Sequence, residues 1–108
     1  MINVTIFKDS ADQFIGFKFS GHAGFDVSGR DNVCSAVSVL VINTVNSIEK
    51  FTDDDFVCDT DEKSGMIEFH LNGKLSNESK ILMNSLVLGI QGIQEDNEKY
   101  IKIKFKEV

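Results

Sequence analysis

Residues Val33 to Phe51 read VCSAVSVLVINTVNSIEKF, and this stretch decides the fold. Val33, Val37, Val41, Val45 and Ile48 recur at steps of four and three, the spacing of one helical stripe. Leu40 and Phe51 widen that stripe. The β-branched content would suit a strand, but strands usually run about four to eight residues and this stretch is much longer. Glu49 and Lys50 close it with charge. Asp31 and Asn32 stand just ahead of it, and both are good N-cap residues. With Asp31 as cap, the amide of Cys34 is one of the free N–H groups of the first turn, and its sulfur lies near the positive helix end. A thiol there is shifted toward thiolate, its reactive form.

Upstream the period changes to two. Ile2, Val4 and Ile6 alternate with Asn3, Thr5 and Phe7, which gives a strand with one buried face. Lys8 to Gln13 is polar and contains Asp9-Ser10, a turn composition. Ile15, Phe17 and Phe19 then alternate with Gly16 and Lys18, so the chain opens with a hairpin. Gly21 breaks the run, and Ala23 to Arg30, with Gly24 and Gly29, reads as a mobile loop.

Downstream, Thr52 to Asp55 is an acidic turn and Phe56 to Cys58 a short strand. Asp59 to Gly65 reads as a hairpin loop, and Ile67, Phe69 and Leu71 alternate with Glu68 and His70 in a fourth strand. Asn72-Gly73 is a stop. Ser76 is the expected N-cap of a second helix, with Glu78 in its first turn. Ile81, Leu82, Leu86, Leu88, Gly89 and Ile93 outline that helix to about Asp96. Gly89 and Gly92 each cost ~1 kcal/mol against Ala inside a helix, so close approach to a neighbouring element is expected at both. Tyr100 to Lys106 alternates again as the last strand. The order ββαββαβ predicts a two-layer α+β domain: a mostly antiparallel five-stranded sheet with two helices on one face.

The chain has 108 residues, 42% of them hydrophobic, with no Trp and no Pro. These values predict one globular domain spanning residues 1–108 and exclude a disordered chain. Net charge is −6, which argues against a general nucleic-acid binder and for a basic partner. The two cysteines, Cys34 and Cys58, are too few for a disulfide scaffold. Met1 leads straight into strand residues rather than a signal peptide, and the apolar run Val39 to Ile42 is far too short for a membrane span. A reduced, cytoplasmic setting is the default.

The chemistry gathers between Gly21 and Ser38, which reads GHAGFDVSGRDNVCSAVS. His22 follows a strand and precedes a glycine-containing loop, where catalytic residues concentrate and where ordinary surface histidines also stand. His22 lies twelve residues upstream of Cys34, a separation that permits the imidazole to reach the sulfur. Cys34 is open to two readings, a nucleophile or a small buried hydrophobe. Asp31 serves as helix cap and also as a group that could orient the imidazole. Ser38 falls one turn beyond Cys34 on the same face, placed to hydrogen-bond near the thiol or to back-bond to the Cys34 carbonyl. Cys58, beside Phe56 and Val57, reads as a buried inert thiol, and His70 as part of a solvated face. Two Cys and two His without short paired spacings disfavour a metal site, and no phosphate-loop pattern occurs.

The sequence GHA at Gly21-His22-Ala23, a short glycine-containing loop, and then D-x-VC-x-A-x-S from Asp31 to Ser38 closely resemble the ribosomal-processing cysteine protease family of bacteria. The resemblance extends to the length, the element order and the TVN-x-I segment from Thr44 to Ile48. Asn32 and Ser35 depart from the family pattern, which has an apolar and a small residue there. The resemblance implies a small homodimeric cysteine protease. Its substrate would be the N-terminal extension of large-subunit ribosomal protein twenty-seven, cut after an aromatic pair. It also implies Cys34 as nucleophile and His22 as its base and acid, with Asp31 and Ser38 at further motif positions and Gly21 letting the chain turn to place His22. Residues Ala23 to Arg30 would cover bound substrate. No cofactor, membrane or direct nucleic-acid contact is implied.

Under this reading the Cys34 thiolate attacks the scissile carbonyl and forms a thioester that water later hydrolyses. Backbone N–H groups at the helix start or a nearby loop would hold the oxyanion. The alternatives are a non-catalytic ribosome-assembly or protein-binding module, and a redox sensor or small thiol hydrolase.

Overall fold

Strand alternation and hairpin turns build the sheet, and the helical stripes cover it. A computed structural model describes residues 1–20 and 28–108, with residues 28–31 as backbone only. The elements are β1 (Ile2–Lys8), β2 (Phe14–Ser20), α1 (Ser28–Phe51), β3 (Asp55–Asp61), β4 (Met66–Asn72), α2 (Asn77–Asp96) and β5 (Ile101–Glu107). The sheet order is β3-β4-β2-β1-β5. β1 pairs with β2, β2 with β4, and β3 with β4, all antiparallel; β5 closes the far edge parallel to β1. The expected mostly antiparallel α+β sheet is therefore present, mixed by one parallel pair.

Register explains the core. Ile6 lies beside Phe17, Phe17 beside Phe69, and Phe69 beside Cys58, so one row of apolar side chains crosses the sheet. Phe17 and Phe69 stack with centroids 5.2 Å apart. Val33, Val37, Val41 and Ile48 of α1 and Met83, Leu86, Val87 and Ile90 of α2 bury against this face. Both helices thus sit on one side. Thr44 interrupts the α1 stripe, and its hydroxyl donates to the Leu40 carbonyl at 2.8 Å, so burying it leaves no polar group unpaired.

Four expectations are corrected. α1 begins at Ser28 rather than after Asp31, so Ser28 to Arg30 are helical and Asp31 lies within the helix instead of capping it. β3 runs on through Asp59 to Asp61, leaving the hairpin loop only Glu62 to Gly65, where Gly65 takes a φ of +68°. Phe51 does not widen the α1 stripe; it is 68% exposed. The α2 stripe is displaced: Ile81 and Leu88 point outward, while Met83, Val87 and Ile90 bury. Ser76 is the N-cap as expected, its hydroxyl accepting the Ser79 N–H at 3.1 Å.

Candidate active site

Cys34 is the seventh residue of α1 and is half-buried. Its neighbour one turn on, Ser38, is also half-buried, because positions four apart share a helix face. Both line a cleft of about 360 Å³. Phe19, near the end of β2, and Met66 and Ile67, at the start of β4, supply its apolar surface. Thr60, Asp61, Glu62 and Gly65, where β3 turns into β4, form the remaining wall. Antiparallel pairing puts these strand ends together: Phe19 is beside Ile67, and Ile67 beside Thr60.

The helix start alters the electrostatic argument for the thiol. Free N–H groups belong to the first turn of a helix, and the dipole's effect fades beyond it. With α1 opening at Ser28, the Cys34 amide lies in the second turn. The seat at the helical tip is therefore lost as the main source of activation, and as the source of an oxyanion donor from Cys34.

His22 and Gly21 lie outside the described residues, as do Ala23 to Val27 of the expected cover. The Asp31 side chain is likewise not described. The structure brings Cys34 and Ser38 together on one cleft and leaves the other expected site residues untested.

Cys58 is less buried than the sequence predicts. It is half-buried on the helix-facing side of β3, and burial pushes its thiol pKa up, with the Asp59 carboxylate adding to the rise. It lines a smaller recess of about 100 Å³ with Val41, Ile42, Val45 and Asn46. Thr60 and Ile67 line both cavities, so the recess adjoins the cleft at Cys34. His70 faces the opposite side of the sheet, where it stacks on Phe7 with centroids 4.8 Å apart and meets Glu68 at 2.7 Å. Hydrogen bonding to His70 holds the Glu68 carboxyl below the usual range. This cluster is on the far face from the cleft, as the strand alternation required.

Sequence reasoning gave Asp61 and Glu62 no role beyond a turn. Only the long-range pairing of β3, β4 and β2 carries them to the cleft, and no local pattern signals it.

A cysteine presented from a long helix into a cleft walled by strand ends is a candidate nucleophile on an α+β scaffold. The chain belongs to the cysteine protease Prp family, whose profile matches residues 1–102. It is 24% identical over 107 residues to the ribosomal processing cysteine protease Prp of Bacillus subtilis (strain 168), covering 95% of this chain and 96% of that protein. Its fold matches that of the essential ribosomal processing protease Prp from S. aureus in complex with a substrate peptide. There the TM-score is 0.91 at 22% identity, over 98% of this chain and all of that one. The S. aureus protease with a covalently linked product peptide gives a TM-score of 0.87 at 23% identity, with the same coverage. SMU.848 from Streptococcus mutans gives 0.86 at 26% identity, over 100% of this chain and 96% of that one. Membership of a protease family decides against the non-catalytic module.

Proposed function

We propose that this protein is a cysteine endopeptidase that removes the N-terminal extension of a large-subunit ribosomal protein during ribosome maturation. The observation that carries the reading is the half-buried Cys34 on the wall of a cleft large enough for peptide side chains. The B. subtilis relative's name and the S. aureus complexes, one with substrate peptide and one with covalently linked product peptide, support the substrate class.

In this mechanism the Cys34 sulfur attacks the scissile carbonyl while its proton passes to His22. The imidazolium then protonates the leaving amine, and the acyl group remains on sulfur as a thioester. His22 next takes a proton from water, the hydroxide displaces the thiolate, and the enzyme is restored. Chain connectivity supports the pairing. His22 follows Phe19, a lining residue, by three positions in the sequence. Gly21 would give the turn that aims His22. Asp31 would orient the imidazole, and Ser38 would hydrogen-bond beside the thiol. The acidic chain would draw in a basic tail. The reading includes a homodimer in the cytoplasm with no direct contact to nucleic acid.

The test is incubation with the ribosomal protein carrying its extension, followed by mass measurement of the products. One cut within the extension, lost in Cys34→Ala protein that remains folded, is expected. An intact substrate, or undiminished cutting by Cys34→Ala, overturns the reading.

A further inference from the structure

The outer face of the sheet, away from both helices, carries a separate cleft of about 340 Å³. Register builds it. Thr5 of β1 lies between Lys18 of β2 and Lys104 of β5, and Phe7, two residues on, lies between Gly16 and Lys106. Neighbouring strands stand about 5 Å apart, so two lysine stems rise on either side of the short Thr5 side chain and leave a hollow above it. Gly16 has no side chain, and Phe7 and His70 close over it from β1 and β4 to stack at 4.8 Å. That stacked pair is the apolar border of the cleft. Glu68 is the one carboxylate on its lining, and His70 engages it at 2.7 Å. We propose that this cleft binds a phosphate monoester with a flat organic ring, the class of a nucleoside monophosphate. Its phosphate is held over Thr5 by Lys18, Lys104 and Lys106, and its ring lies against Phe7 and His70.

Three observations carry the assignment. The first is charge: three ammonium groups against one carboxylate line this cleft, in a chain whose net charge is −6. Among the described residues none of the three lysines is in an ion pair, so their charge is available to a ligand. Lysines on an edge strand also guard it against pairing with other chains, which accounts for Lys104 and Lys106 on β5. It does not account for Lys18, which stands on the central strand of the five. The second is size. A phosphate group fills only a small part of the cleft, and a ring-bearing ligand fills the rest. The third is the join of an aromatic border to a group of cations, with a hydroxyl between them, which matches a flat ring attached to a phosphate. The cleft is on the other side of the sheet from Cys34, and its charge repels a basic tail. The inference therefore stands or falls apart from the protease reading.

The test is calorimetric titration of the whole chain with adenosine monophosphate, adenosine, inorganic phosphate and a single-stranded octanucleotide, all at one salt concentration. Adenosine monophosphate is expected to bind at least about tenfold more tightly than adenosine, the worth of charge-assisted hydrogen bonds to its phosphate, and more tightly than phosphate alone. Protein carrying both Lys104→Met and Lys106→Met is expected to bind it about fivefold more weakly, and Thr5→Val to weaken it by a similar factor. Glu68→Gln is expected to tighten binding about threefold, because it removes the one negative charge of the lining while glutamine still offers His70 an oxygen. A gain of affinity cannot come from a damaged fold. Backbone amide shifts in a parallel magnetic-resonance titration are expected at Thr5, Lys18 and Lys104 and not at Cys34. Equal affinity for adenosine and its monophosphate, or for the monophosphate and inorganic phosphate, overturns the proposal. So do shifts confined to the Cys34 cleft, and an affinity unmoved by the lysine and Glu68 changes. Far tighter binding of the octanucleotide than of the monophosphate also overturns it, by making the face a seat for a nucleic-acid strand rather than a small molecule.

Discussion

Leu40 on α1 occupies the space where Gly89 on α2 has no side chain: a Cβ on Gly89 would lie 2.9 Å from Leu40 Cδ1. The two helices approach closely at this point, and the approach explains a glycine inside α2. Gly92, one turn on, has nothing within 4 Å of the same position, so close approach does not explain it. The two glycines therefore respond differently to substitution. Gly92→Ala is expected to stabilise the protein by about 0.5–1 kcal/mol through helix propensity. Gly89→Ala is expected to be close to neutral, because the same gain is offset by displacement of the Leu40 methyl, and Gly89→Leu to destabilise by about 1–3 kcal/mol. Urea unfolding midpoints at constant slope measure all three.

Gly16 is constrained more severely. A Cβ there would run into the backbone carbonyl oxygen of Phe69 and come within 3.2 Å of His70 Nδ1. Gly16 pairs with His70 of β4 on one side and Phe7 of β1 on the other, so its backbone has little room to move without breaking pairing. Gly16→Ala is expected to cost about 2–3 kcal/mol, the range of overpacking in a fixed site, and thermal unfolding reads it directly.

Asp54 ties the start of β3 to the start of α2. Its Oδ2 accepts the Ser76 N–H at 2.9 Å and the Ser76 hydroxyl at 2.7 Å. Its carboxyl pKa is held below the ordinary value, first by the Ser79 hydroxyl, then by the Ser76 hydroxyl and N–H. The Ser79 hydroxyl is buried and meets no acceptor at full hydrogen-bond geometry, so the two Ser76 bonds are the firm ones. A depressed folded pKa means that the stabilisation is fully present above the unfolded value and is lost as pH falls through the folded one. Asp54→Asn is expected to cost about 1 kcal/mol near neutral pH and to flatten the acid limb of stability against pH. Ser76→Ala, which also removes the cap, is expected to cost about 1–2 kcal/mol. Unfolding curves from pH 7 down to pH 3 separate the two.

Cys58 and Cys34 should part in function. Burial and Asp59 hold the Cys58 thiol in its protonated form, so it is a poor nucleophile despite bordering the recess beside the cleft. Cys58→Ala is expected to retain peptide cleavage within about threefold, with a modest stability loss from the space it leaves. Cleavage rates of the two alanine variants against one peptide check this.

Local patterns carried most of the fold. The alternation of Ile2, Val4 and Ile6, the Ser76 cap and the Val33 to Ile48 stripe each act within a few residues, so the sequence shows them directly. Sequence and structure part where tertiary packing chooses between acceptable local options. Ile81 and Leu88 are as apolar as Met83 and Val87, and only the sheet decides which set buries. Asp31 is a good cap residue by composition, yet the helix runs through it from Ser28. At the site, Cys34 and Ser38 were legible from spacing on one helix. Asp61 and Glu62 were not, because strand pairing across the sheet brings them there.

The proposed reaction passes through a covalent bond between substrate and Cys34. Acid-quenched mixtures of the protein and a cleavable peptide, weighed intact within the first turnovers, test it most directly. The expected result is a protein species heavier by the acyl fragment, mapped to Cys34, and absent in Cys34→Ala. Peptide cleavage by Cys34→Ala at an undiminished rate, with no such species in the unaltered protein, would contradict it.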